Sequence, residues 1–417
     1  MVLRKGLNIM FFLLLIVGIT VQVFAQEVRF PIPIYEGEEL AKVREWEKVW
    51  VGKKISSANV DEVKDFVPPE IYKLMKQPEK WGDSWFEIVP YRTYPNTPGK
   101  TKFTKEGWGK SKVDEKGNLQ NWVSGVPFPM PKSGLEIAWN FDTWSRTDGV
   151  YRMGVGEFID GRLKYDRDLQ LSALWLSYVG RTDIAPFPDL PNNTKKIQRA
   201  SYQVYFKPSD LKGMVRLQIR YIDQAKEYDS WNWIPALRRI RRISTAQRTD
   251  TTGGGDVCPD DNYSWDGAVL RQTYKLLGRK EILVIRHQDV SKIVHTAGDC
   301  IYDGLQRERI NAYVVEAVCT DPGYIYGKAI WYVDPELWNI PYCEKYDKYG
   351  KMWKTMDWFN TLWKFDKVEA FDADFAGNMI IDVQRMHASN AITPEARSGT
   401  VIDPGMMSPI YLERVGK

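Results

Sequence analysis

The residues best suited to chemistry in this chain are few and widely spaced. There are three histidines, His287, His295 and His387. No two of them stand at the spacing of a helical zinc motif. A solitary histidine is more often packed or solvated than a ligand. No Gly-x-Ser-x-Gly turn presents a nucleophile. The run Thr251-Thr252-Gly253-Gly254-Gly255 lacks the Lys-Ser or Lys-Thr of a phosphate loop and reads as a flexible hairpin tip. Asp260, Asn262, Ser264 and Asp266 alternate ahead of Gly267, and oxygen ligands so spaced can wrap a calcium ion. The glycine comes one position late and no closing glutamate follows, so a polar turn is the better reading. Asp372 and Asp374 share one side of any strand that carries them and could form a carboxylate pair. Paired surface acids are the commoner origin of such spacing. No catalytic residue, metal or cofactor is assigned.

Two further constellations concern binding and covalent structure. Arg238, Arg239, Arg241 and Arg242, with Ile240 and Ile243, form the densest basic run. In a strand, Arg239, Arg241 and Ile243 take one face and Arg238 and Ile240 the other. The run could meet anionic headgroups or an acidic partner, or serve as a charged edge that blocks sheet-to-sheet aggregation. The cysteines are Cys258, Cys300, Cys319 and Cys343. An even count in an oxidising compartment favours disulfides, and four allow three pairings. Two predicted turns put Cys319 and Cys343 on the first and third strands of a meander, roughly 9–10 Å apart, beyond the reach of a disulfide. At least one bond from Cys258 or Cys300 to Cys319 or Cys343 is therefore expected.

The compartment is read from the first residues. Arg4 and Lys5 precede an apolar run, Ile9 to Val23, and Val23-Phe24-Ala25 places small residues before Gln26. That order predicts an export signal over residues 1–25, cleaved after Ala25. The run is shorter than the roughly 20 residues of a spanning helix. Without Arg4 and Lys5 the formal charge falls from +4 to about +2, which argues against nucleic acid as the main partner. Periplasmic localisation, with association to the outer membrane, is the expectation. The 17 tryptophans and 22 tyrosines suit strands and half-wet apolar surfaces.

These residues must be positioned by a mainly β scaffold. Residues 26–135 read as a helical and extended segment, with helical spacing over 37–76 and Pro-, Gly- and Trp-rich loop over 77–135. Residues 136–417 read as an antiparallel β domain forming one fold with that segment. Its strands are expected at Leu135–Trp139, Tyr151–Phe158, Ser201–Phe206, Met214–Tyr221, Tyr228–Ile234, Arg238–Ser244, Val269–Leu277, Ile282–Arg286, Ala312–Cys319 and Ile325–Val333. Leu169–Val179 is expected to be a helix. The fold class is α+β but mainly β: a large curved antiparallel sheet or half-open β-barrel with a few helices.

Ordered motifs along this scaffold carry a resemblance. Ser124-Gly125-Val126-Pro127-Phe128-Pro129-Met130-Pro131, then Gly134-Leu135-Glu136 and Trp139-Asn140, resemble the GxPFPxPxxGxExxWN signature of the exported bacterial family named domain of unknown function 1329. Ile234-Pro235 with Arg238–Arg242 is similar to its PxxRRVRR strand. Leu276-Leu277-Gly278-Arg279-Lys280-Glu281 is similar to its LxGKKE. Tyr313–Ala317, Tyr326-Gly327-Lys328 and Tyr332–Trp338 resemble its VWVVEA…YxKRxFYxDxDxW hairpin. The resemblance runs from about residue 95 to 360, and the family's usual opening stretch is not seen over 37–95. It implies a fold like the Lol-type outer-membrane lipoprotein carriers and receptors, half-open barrels with helices over an apolar cavity. It also implies a resistance-nodulation-division-type permease or an outer-membrane protein as partner.

The reading that follows is a non-enzymatic periplasmic carrier or adaptor for lipids, lipoproteins or other hydrophobic molecules. Trp139, Tyr205, Trp233, Trp265, Trp331 and Trp353 are the candidates to line its cavity. Arg238, Arg239, Arg241 and Arg242 are the candidates to meet a headgroup or partner. The alternatives are an envelope interaction module without a small ligand, and a sugar-binding protein or hydrolase using the aromatic surface.

Overall fold

The computed structural model describes residues 29–144, 147–162, 164–296, 299–365 and 369–416. The expected export signal lies outside the described residues. The α-helices among the described residues are α1 Gly37–Trp50, α2 Pro69–Met75, α3 Pro78–Trp81, α4 Pro98–Gly107, α5 Gly134–Trp144 and α6 Pro409–Gly416. None of the described helices is long and apolar enough to cross a membrane.

The strands are β1 Lys54–Ile55, β2 Phe86–Ile88, β3 Lys112–Val113, β4 Leu119–Gln120, β5 Gly149–Ile159, β6 Tyr165–Ser177, β7 Ile197–Lys207, β8 Val215–Tyr221, β9 Asp229–Ile234 and β10 Arg239–Ile243. They continue as β11 Gln272–Ile285, β12 Leu305–Cys319, β13 Lys328–Val333, β14 Tyr342–Tyr346, β15 Met352–Lys364, β16 Phe371–Asp382 and β17 His387–Ser398. Fifteen of them form one sheet in the order β1-β2-β12-β13-β14-β15-β16-β17-β5-β6-β7-β8-β9-β10, with β11 also on β12. The sheet is mainly antiparallel and is not closed: β1, β10 and β11 each have one neighbouring strand. Its parallel pair is β2 with β12, Leu305 opposite Phe86. The first segment of the chain thus contributes two strands to the sheet.

Apolar side chains gather in three places. Val43 of α1 and Ile71 and Leu74 of α2 pack with Ile282–Ile285 and Ile310. Ile137 and Phe141 of α5 pack with Val315, Trp331 and Met356. Leu412 of α6 packs on Tyr202, Val215, Leu217 and Trp233.

Several elements differ from the sequence expectation: residues 98–107, expected as loop, form α4, and two others change type. Leu135–Trp139 lies in helix α5, not in a strand. Ser133 caps it, accepting from Glu136 N at 3.2 Å, and Ile137, Phe141 and Trp144 recur at helical spacing. The run Ser133-Gly134-Leu135-Glu136 is a Ser-x-x-Glu start signal. Leu169–Val179 is not a helix but most of strand β6. Leu169, Leu171, Ala173 and Trp175 face one side, while Leu174 and Leu176 pack on the other. A strand apolar on both faces carries no clean alternation, which is why it mimics a helix.

Candidate functional site

On the face of the sheet away from α6, a cavity of about 160 Å³ opens among β5–β8 and β15–β17. Its floor is Gly154 and Phe158 of β5 and Leu169, Leu171, Ala173 and Trp175 of β6. These are alternate residues of neighbouring strands, so the pleat directs them to one side. Trp358 of β15 and Phe375 of β16 form one wall. Tyr263 closes it from above, stacked on Trp358 (centroids 5.6 Å apart, rings 9° from parallel) and edge-on to Trp175 at 5.8 Å.

Polar residues also reach the lining, Arg152, Gln203, Arg216, Asn262, Asn378 and Asn390 among them. Buried Arg152 pairs with Asp374 and with the Tyr263 hydroxyl. Arg152 Nε, Asn390 Oδ1 and Thr393 Oγ1 make no hydrogen bond within the protein. Such groups are costly to bury unless something satisfies them.

The roof belongs to the connection between β10 and β11, residues 244–271, which crosses the sheet face as a strap. Gly255 lets it come close: a Cβ there would stand 2.5 Å from Phe158 Cε1 and 2.9 Å from Ser389 Oγ. Buried acids anchor it. Asp256 Oδ2 accepts from Ser389 Oγ at 2.8 Å and lies 2.6 Å from His387 Nδ1. That hydrogen bond raises the His387 pKa. Asp260 takes Arg248 Nε at 2.6 Å and the Tyr324 hydroxyl at 3.1 Å. Asp261 takes Lys345, the Tyr326 hydroxyl and, at 3.5 Å, Lys354. Burial would raise the Asp261 carboxyl, but the two ammonium groups overcome it and hold it well below the usual range. Asp266 Oδ1 meets Arg199 Nη2 at 2.9 Å. Ser389 and His387 thus converge on one carboxylate. A nucleophile relay would need the serine to meet the imidazole, so this cluster is a fastening.

The sequence-derived candidates are spread over the molecule. Tyr205 lines the cavity. Trp139, Trp233, Trp265 and Trp331 are buried in the apolar cores, and Trp353 is half-buried with its Nε1 on Asp382 at 2.8 Å. Arg238, Arg239, Arg241 and Arg242 are exposed, at and beside the end strand β10, and Arg242 pairs with Asp229 at 2.5 Å. The alternating acids at 260–266 are met by arginine and lysine. Among the described residues no group of three or more His, Cys, Asp or Glu is placed to hold a metal. Asp372 and Asp374 do lie on one side of β16, but each is matched to a cation, Asp372 to Lys100 at 2.7 Å and Asp374 to Arg152. His287 stacks on Tyr94 and meets Glu308 at 2.8 Å; His295 meets Glu157 at 2.5 Å, and burial pushes Glu157 up to about 7.

The expected disulfide is absent: Cys258, Cys300, Cys319 and Cys343 are all free. Cys300 packs in the core beneath α1 and α2, whereas Cys319 and Cys343 belong to the core around α5. Cys319 and Cys343 do sit on the first and third strands of the β12-β13-β14 meander. Cys258, in the strap, is buried at the cavity.

Sequence reasoning missed Arg152, Gly154, Leu171, Trp175, Tyr263, Trp358 and Phe375 as cavity residues. The short alternation Leu169-Gln170-Leu171-Ser172-Ala173, before Leu174 and Leu176 break it, is the signal that could have found the floor.

A family model described as protein of unknown function (DUF1329) matches residues 54–403. An uncharacterized protein of Pseudomonas aeruginosa is 27% identical over 327 residues, covering 73% of this chain and 68% of the relative. A crystal structure of a DUF1329 family protein from Desulfovibrio piger is 16% identical, with a TM-score of 0.49, over 67% of this chain and 97% of that one. A LolA superfamily protein from Nitrosomonas europaea is 14% identical, with a TM-score of 0.41, over 67% of this chain and 100% of that one.

Proposed function

This chain belongs to the DUF1329 family, and from that footing we propose that it is a non-enzymatic carrier or adaptor that holds the apolar part of a lipid-like molecule under the strap. The observation that carries the proposal is the cavity: aliphatic and aromatic on most sides, roofed by an anchored segment, with three polar atoms left without partners. Its volume of about 160 Å³ is close to that of a dry cavity that takes benzene. It is below the roughly 300–1,000 Å³ of sites for drug-sized ligands. The ligand therefore inserts a short length of chain or a ring, and the rest of it lies outside. Each buried methylene contributes about 0.8 kcal/mol without needing a polar partner.

The site of action is proposed to be the periplasm, supported by the basic, apolar and small-residue order of residues 4–25. A permease of the resistance-nodulation-division type or an outer-membrane protein would deliver or receive the cargo. The test is purification from the native envelope, organic extraction and mass spectrometry. A single class of amphiphile near one equivalent per chain is expected. A clean extract, together with no uptake of an apolar fluorescent dye by the stripped protein, would refute the carrier reading.

A further inference from the structure

Three hairpin turns stand side by side at one end of the sheet: 347–351 between β14 and β15, 383–386 between β16 and β17, and 160–164 between β5 and β6. The register puts them at the same end, because Lys354 lies opposite Asp382 and Ala388 opposite Ile159. The six strands they join, β14, β15, β16, β17, β5 and β6, are successive neighbours in the sheet. At about 4.8 Å per strand, five steps make a row roughly 24 Å long. Gln384 Nε2 donates to Asp347 Oδ2 at 3.0 Å, which ties the first two tips together.

Every tip is basic. Lys348 and Lys351 stand on the first, Arg385 on the second, and Arg162 and Lys164 on the third, all exposed. The two aspartates of the row are turned into their own hairpins. Asp347 Oδ1 accepts from Tyr349 N and Lys351 N at 2.9 Å each, and Asp160 Oδ1 accepts from Arg162 N at 2.9 Å and Lys164 N at 3.0 Å. Arg162 also meets Asp160 Oδ2 at 3.2 Å, and Lys348 Nζ donates to Pro322 O at 3.0 Å. These local contacts leave the excess of positive charge in place, and attraction to a charged surface acts on the summed charge over about 8 Å of saline, without needing an unpaired donor. Tyr349 is 96% exposed, the most exposed large apolar side chain among the described residues, and Tyr165, just past the third tip, is 46% exposed. A stable protein partner calls for roughly 800 Å² a side with an apolar centre. Here two separate tyrosines stand among cations. That composition suits lipid headgroups, where lysine and arginine meet anionic phosphates and a tyrosine ring sits at headgroup level. We propose that these three tips dock the protein on an anionic bilayer surface, with Tyr349 at the level of the headgroups. Phe158 and Ser389, both at the cavity, stand within three residues of the third and second turns, so docking brings the cavity close to the bilayer. The proposal goes beyond the carrier reading and does not depend on it.

The experiment is co-sedimentation of the full-length mature protein with vesicles, either of phosphatidylcholine alone or with about a quarter phosphatidylglycerol. The proteins are the wild type, Lys348→Gln/Lys351→Gln, Tyr349→Ser and, as control, Lys195→Gln/Lys226→Gln, which removes the same charge from exposed turns at the opposite end of the sheet. The wild type should bind the anionic vesicles, leave the neutral ones, and come off in high salt. Each lysine removed from the tips should weaken binding about fivefold, so the pair costs about twenty-fivefold. Tyr349→Ser should weaken it severalfold and, because the side chain is exposed, leave the urea midpoint where it was. The opposite-end variant should bind as the wild type does. No binding to anionic vesicles, equal binding to both kinds, or an equal loss in the opposite-end variant overturns the proposal. So does a wild type that ignores vesicles but binds soluble polyglutamate through Lys348 and Lys351, since the tips then meet an acidic protein. Decanol uptake should be the same in all four proteins; its absence would count against the carrier reading and not against docking.

Discussion

Replacing Gly154 with valine separates ligand binding from folding. Gly154 is a cavity residue in the middle of β5, opposite Leu171. The atoms nearest to an added Cβ are Leu171 Cδ1 and Cγ, at 3.6 Å, which is ordinary contact. Glycine inside a strand costs about 0.5–1 kcal/mol relative to alanine, and valine favours strands, so stability should hold or rise. The new side chain occupies the space the ligand needs. Valine adds three carbons; if each displaces one ligand methylene at about 0.8 kcal/mol, binding weakens by about 2.4 kcal/mol, roughly fiftyfold in Kd. Alanine adds one carbon and should cost about fourfold on the same scale. Titration with decanol measures affinity, and urea unfolding of the same samples measures stability. A valine variant that is as stable as the wild type and binds decanol equally well would show that the chain does not enter this cavity.

Asp261→Ala leaves Lys345 and Lys354 buried without their shared carboxylate. It should lower stability by about 3–5 kcal/mol, whereas replacing all three together with leucine and methionines should recover most of the loss; a urea midpoint within error of wild type for the single variant would mean the strap is not fastened there. Glu157 titrates high in the folded state, about 7, because it is buried, so the native state binds its proton more tightly than the unfolded chain does. Its contribution is full below the ordinary glutamate range and is lost as pH rises toward 7, and Glu157→Gln should flatten the stability profile between pH 4.5 and 7 relative to wild type. Burial pushes the Cys300 and Cys343 thiols up to about 12 and raises Cys258 well above its usual value. At pH 8 a thiol reagent should titrate half-buried Cys319 first and all four only after denaturation; two unreactive cysteines in denatured, unreduced protein would reveal a disulfide.

The strands were legible where the pattern is short, aromatic or β-branched and bounded by turns. Tyr151–Phe158, Ser201–Phe206 and Ala312–Cys319 fall within observed strands, and Met214–Tyr221 overshoots β8 by one residue. The two expected strands at Val269–Leu277 and Ile282–Arg286 are largely one, Gln272–Ile285, because Gly278 (φ +131°) makes a bulge and not a turn. The errors at α5 and β6 arose because side-chain character was read without context. A Ser-x-x-Glu start outranks a short aromatic run, and a strand covered on both sides loses its alternation. Of the aromatic cavity candidates, those with the largest rings are where large rings gain most, in the cores around α5 and α6. Tryptophan content marks a need for burial and does not say which hollow stays open.

The strap was the least legible part, and its chemistry explains why. Its alternating acids look like a cation loop because a sequence shows spacing but not partners. Here the partners are Arg199, Lys345 and Lys354, brought in by strands before and after the strap, and Arg248 within it. The placement of these charges bears on function. Asp256, Asp260, Asp261 and Asp266 bracket the roof residues Val257–Pro259 and Asn262–Tyr263. A segment fastened by packing its apolar side chains downward would fill the hollow it covers, since cores close to crystal-like density. Fastening it through ion pairs beside the roof fixes its height over the sheet and leaves the apolar space between Leu171, Trp175 and Tyr263 unfilled. Breaking any one anchor is costly because it strands a buried charge, so the strap is held in one place. These buried ion pairs thus hold the roof above an apolar hollow, an arrangement that stability alone does not require.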